Sequence, residues 1–156
     1  EHLYILVSYI VYQYKKNIRV IGNASDFFGF CNNGNILIQG NATSFFGFCN
    51  NGDILIQGNA GDYVGGGMNN GNIVVHGNVG DYVGLDMKDG TITIKSNAGI
   101  AVGNNMNSGT IHINGNAGDL VGYCMKNGTI HINGELESIS ETIIEGEIYH
   151  KGVRIR

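Results

Sequence analysis

Charge is scarce in this sequence. Asp, Glu, Lys and Arg make up 14% of its 156 residues, against about a quarter in an ordinary globular domain. The net charge is −4, and the only basic cluster is Lys15, Lys16 and Arg19. A nucleic-acid binder gathers Lys and Arg into a stripe or patch, so that class is excluded. Long hydrophobic runs are missing too. The apolar stretch from Leu3 to Tyr12 is about half the roughly 20 residues that a membrane-spanning helix needs. It has no basic stretch before it and no Ala-x-Ala site after it, so a signal peptide is not expected. Cysteine is limited to three residues with no other disulfide signal. A reduced, cytoplasmic setting is the simpler expectation. Proline and tryptophan are absent. Disorder does not follow from these absences, because 42% of the residues are hydrophobic and disordered chains combine few apolar residues with high net charge.

Glycine is abundant instead, at 26 residues, and much of it recurs on a fixed period. A unit such as residues 59–77 opens with Asn and returns with its Asn at 23, 41, 59, 78, 97 and 116. Units of this length stack, each burying its face against its neighbours. One run per unit is strand-like, as in Ile36-Leu-Ile, Ile73-Val-Val and Ile111-His-Ile, because β-branched residues alternate along it. A second apolar run is Phe27-Phe-Gly, Phe45-Phe-Gly, Tyr63-Val-Gly, Tyr82-Val-Gly, Ala101-Val-Gly and Leu120-Val-Gly. A third apolar position reads as Cys31, Cys49, Met68, Met87, Met106 and Met125, with a glycine three residues later. On this alignment Cys124 falls in a different column. No helical period survives so much glycine.

Three apolar patches per unit predict one turn of a three-sided coil. The fold expected is an all-β, single-stranded parallel β-helix of six to seven coils with 18–19-residue repeats. Its rungs would lie about 4.8 Å apart, giving a rod of roughly 30 Å. Corner glycines would supply positive φ. The Asn column would occupy another corner, with stacked amides bonding along the rod and with tolerance for the left-handed region. Residues 17–134 form the repeat domain, flanked by 1–16 as a cap or interaction segment and 135–156 as a C-terminal cap. Residues 23–40 and 41–58 differ only at Ser25 against Thr43, Asp26 against Ser44 and Asn35 against Asp53. A function resting on a unique residue inside those copies is not expected.

The run Asn59-Ala-Gly-Asp-Tyr-Val-Gly-Gly-Gly-Met, followed by Ile73-Val-Val and then Asn78-Val-Gly-Asp-Tyr-Val-Gly, resembles the glycine repeats of two related groups. One is the glycine-repeat subunit of the tungsten- or molybdenum-dependent formylmethanofuran dehydrogenase of methanogens. The other is the C-terminal domain of the glutamate synthase large chain. The ending Gly146-Glu-Ile-Tyr-His-Lys-Gly-Val-Arg-Ile-Arg156 is more similar to the first. The resemblance implies a right-handed parallel β-helix that scaffolds catalytic partners and carries no catalytic or cofactor-binding residue itself. Tungsten or molybdenum pterin and iron–sulfur clusters would then lie in partner chains.

Two outward columns are the candidate sites. His112 and His131 share a position in adjacent units, so their imidazoles would stack and could share a metal. An exposed polar ladder is the plainer expectation. The same column begins Arg19, Leu37, Leu55, Val74 and Thr93. Its apolar part, Leu37, Leu55 and Val74, implies contact with another chain or with the N-terminal segment. Asp26, Asp62, Asp81 and Asp119 form a further column, for which hydrogen bonds to turn N–H groups are expected. Cys31 and Cys49 would fill the interior like the methionines they replace. A detached glutamate synthase domain and a stand-alone, self-associating rod remain the alternatives to the dehydrogenase scaffold.

Overall fold

The computed structural model describes residues 17–156. The expectations for residues 1–16 lie outside the described residues. The chain winds as a β-solenoid of about seven turns with repeats of about 19 residues, and there is no helix among the described residues. Its strands are β1 (Ile18–Val20), β2 (Asn35–Ile38), β3 (Asp53–Ile56), β4 (Asn72–Val75), β5 (Thr91–Ile94), β6 (Thr110–Ile113), β7 (Thr129–Ile132), β8 (Glu147–His150) and β9 (Val153–Arg154). They form one sheet in sequence order. Every pair from β1 to β8 is parallel and in register, so Ile36 lies beside Ile54 and Ile54 beside Ile73.

Alternation in the strands sets the core. The second and fourth residues of β2 to β7 point inward and are buried. Each fully buried Ile or Val contributes about 1.5–3 kcal/mol, and the columns multiply that along the rod. The second wall is built from small residues, with Ala24 bridged to Ala42 and Ala98 to Ala117. The third wall consists of stacked turns rather than strand. In its Phe-Phe-Gly or Tyr-Val-Gly run the second residue turns inward, burying Phe28, Phe46, Val64, Val83, Val102 and Val121. The first residue adopts positive φ, at 59° for Phe27, 58° for Phe45, 62° for Tyr63 and 59° for Tyr82. The run is a turn because a left-handed residue cannot continue a strand.

The two short coils differ from the reading of the sequence. Asn32 and Asn50, not Cys31 and Cys49, occupy the interior column continued by Met68, Met87, Met106 and Met125, and both are fully buried. The missing residue falls after this column, at the corner leading into the strand. Asn32 closes that corner through its side chain: Oδ1 accepts from Gly34 N at 3.0 Å and Nδ2 donates to Gly34 O at 2.8 Å. It also donates to Asn50 Oδ1 at 2.9 Å. The longer coils instead turn that corner with Gly71, Gly90, Gly109 and Gly128 at positive φ. Cys31 and Cys49 share their outward, positive-φ column with Gly67, Asp86, Asn105 and Cys124. Both are half-buried free thiols.

The parallel ladder runs on past residue 134. Leu136 bridges Ala117, Ile139 bridges Val121, and β8 adds a further rung on β7. Only then does the chain reverse, and β9 pairs antiparallel with β8.

Candidate functional site: the outer ladders

The outward column of the sheet is continuous from Arg19 through Leu37, Leu55, Val74, Thr93, His112 and His131 to Tyr149. Parallel in-register pairing dictates this, because one residue type repeated at one place in each unit becomes a line along the rod. Leu37, Leu55 and Val74 are each half-buried. They floor an open cavity of about 530 Å³ whose rim carries Arg19, Asn35, Asp53 and Asn72. Asn72 Nδ2 donates to Asp53 Oδ1 at 2.8 Å, and Arg19 Nε donates to Gln39 Oε1 at 2.9 Å. The surface is thus an apolar groove with a tethered polar edge.

Further along, the column turns polar and aromatic. The rings of His112 and His131 stack at 4.7 Å with planes 11° apart, and His131 stacks on Tyr149 at 4.8 Å. Ring nitrogens bind a metal in the plane of the imidazole at about 2.0–2.1 Å. Nearly parallel planes at this spacing do not meet at such a point. Among the described residues no group of three or more His, Cys, Asp or Glu side chains is placed to hold a metal ion. Burial, then His131 and then Lys95 lower the His112 pKa below its ordinary value. The Tyr149 hydroxyl donates to Glu147 Oε2 at 2.9 Å. That bond to a carboxylate is the main reason its pKa is raised.

The Asp and Asn columns bind backbone. Asp62 Oδ1 accepts from Asp81 N at 2.9 Å and Asp81 Oδ1 from Ile100 N at 2.9 Å. Each opening Asn acts alike: Asn41 Oδ1 accepts from Asn59 N, and Asn59 Oδ1 from Asn78 N, both at 2.8 Å. The expected amide-to-amide ladder is therefore absent from this corner. None of these Asn residues has positive φ. The glycines before Asn41, Asn59, Asn78 and Asn116 are explained by the same bond, since a Cβ on Gly77, for example, would strike Asn59 Oδ1.

A fourth outer column escapes the sequence reading. Phe27, Phe45, Tyr63 and Tyr82 stack as a continuous aromatic ladder, with successive centroids 4.8, 4.6 and 5.0 Å apart. Phe30 and Phe48 stack beside it at 6.1 Å. The usable signal is variability. The inward residue of each pair is always Phe or Val, whereas its predecessor drifts to Ala101 and Leu120.

The fold and its ladders define a β-solenoid whose repeated polar side chains serve mainly to join one coil to the next. No protein-family model matches the chain, and no curated protein matches it.

Proposed function

We propose that the chain is a non-catalytic scaffold, a β-helical rod whose outer ladders dock other subunits of an oxidoreductase complex. The observation that carries this reading is the apolar groove over Leu37, Leu55 and Val74. A contiguous apolar strip on an exposed surface marks a contact site. The interior supports the same reading, because its columns hold Ile, Val, Met, Ala and Phe, with one buried amide pair and Ser140 as the buried polar residues among those described. The Asp and Asn columns, the other source of polar chemistry, are engaged with backbone N–H groups.

The glycine-repeat resemblance directs this scaffold to the corresponding subunit of a formylmethanofuran dehydrogenase. In that reading, carbon dioxide is reduced onto methanofuran at tungsten or molybdenum and iron–sulfur centres held by partner chains. A detached glutamate synthase domain is the second reading. A self-associating rod is the third, favoured by the half-buried aromatic ladder whose first ring, Phe27, is 53% accessible.

Affinity purification of the tagged full chain from its native cells separates the three. Recovery of tungsten- or molybdenum-containing chains is the expected result. A flavoprotein with an amidotransferase would establish the second reading, and recovery of the chain alone would overturn both enzyme readings. A Leu55→Asp variant should lose the partners while keeping its β-rich circular dichroism.

A further inference from the structure

We propose that Asn70 and Asn127 are selective sites of spontaneous deamidation, chosen by the geometry of their corners. The sequence contains six Asn-Gly pairs, at Asn33, Asn51, Asn70, Asn114, Asn127 and Asn133. Deamidation at such a pair needs the glycine nitrogen to reach the side-chain carbonyl carbon of its own Asn, so a hydrogen bond that holds its N–H on any other group opposes the reaction. The solenoid withholds the nitrogen at four of the six. Gly52 N donates to Asn32 O at 3.0 Å, Gly115 N to Ser96 O at 3.0 Å and Gly134 N to Gly115 O at 2.9 Å. Gly34 is buried and its N–H donates to the Asn32 side chain at 3.0 Å.

The other two turn away from the ladder. Gly71 N donates to Asn70 Oδ1 at 2.7 Å, and Gly128 N to Asn127 Oδ1 at 2.8 Å. Because Oδ1 is bonded to Cγ, this contact keeps the nitrogen beside the carbon it must attack. Both Asn side chains are solvent-exposed. Asp89 repeats the arrangement, with Gly90 N donating to its Oδ1 at 2.8 Å, but an ionised carboxylate is a poor electrophile.

The step balances without a redox partner. Hydroxide takes the proton from Gly71 N, and the nitrogen forms a bond to Asn70 Cγ. The bond from Cγ to the side-chain nitrogen breaks, and ammonia leaves with a proton from water. Water then opens the succinimide at either carbonyl, giving Asp or isoaspartate. Each event adds a carboxylate to an exposed corner. The isoaspartyl product also lengthens the backbone two residues before Asn72, whose N–H holds Gly52 O at 3.1 Å.

The test is to incubate the full chain at mildly alkaline pH and follow each Asn-Gly peptide by mass spectrometry. Asn70 and Asn127 should convert about tenfold faster than Asn51, Asn114 and Asn133, the rate equivalent of one hydrogen bond that must first break. In denaturing urea the selectivity should vanish. Asn70→Ser, which copies Ser108 at the same corner, should silence that peptide and leave Asn127 unchanged. Equal rates in the folded chain, faster conversion at the ladder-bound sites, or selectivity that survives urea would each overturn the proposal.

Discussion

Asn32 and Asn50 show how a single side chain can replace a residue of backbone. In the short coils the Asn32 amide supplies the partner of the buried Gly34 N–H. Asn32→Leu keeps most of the volume and removes that partner, so urea unfolding should show a loss of about 2 kcal/mol. An unchanged midpoint would mean that the amide is only filler. His112 gives a second prediction. Its folded pKa is lowered by burial first, then by His131 and Lys95, whereas the unfolded side chain keeps a value of about 6.5. As pH falls below that value, the unfolded state binds the proton more readily, and stability is lost. His112→Thr, matching Thr93 in the preceding coil, should flatten the decline of the thermal midpoint on acidification. These residues also mark where the sequence ceases to be legible. Alternating Ile residues place themselves because only one face of a strand can be buried. Hydrophobicity aligns Cys31 with Met68, although a buried Asn paired with its copy fills that column. Nothing in the apolar pattern shows where a one-residue deletion lies.

At the scale of the element, the sheet is what the sequence displays best. Its β-branched pairs announce every rung from β1 to β7, and the corner glycines at Gly71, Gly90, Gly109 and Gly128 have the positive φ their position calls for. The turn wall is less legible, because Tyr-Val and Phe-Phe read equally well as strand until the left-handed backbone of the first residue is known. Coil-to-coil spacing makes the corners unforgiving. A Cβ on Gly71 would strike the Gly52 carbonyl oxygen, and its φ is 83°. Gly71→Ala should therefore destabilise the fold by more than about 2 kcal/mol, combining strain with a backbone clash. Gly152 also has positive φ, at 80°, but meets nothing within 4 Å. Gly152→Ala should carry only the conformational penalty of about 1 kcal/mol. Equal losses in the two variants, measured by denaturant titration, would show that coil spacing does not set the cost.

For the whole molecule, each described strand pairs with the strands next to it in sequence, so stability should accumulate coil by coil. Removing residues 41–58 joins two units that match in sequence and register. The shortened chain should fold, with β2 pairing β4, and its denaturant m-value should fall in step with the surface lost. An unfolded product would show that the coils are not interchangeable. The reversal at β9 is the counterpart of this modularity. Parallel stacking leaves an open edge that another chain can extend, and an antiparallel strand closes it at the C-terminal end. Truncation after His150 should therefore increase association, measurable by light scattering. The near-identity of residues 23–40 and 41–58 then has a meaning in genetic terms. In-frame duplication of a segment coding for one coil lengthens the rod by a rung without disturbing the coils on either side. Length becomes a heritable, countable trait, and the distance between whatever binds at the two ends can change in whole steps.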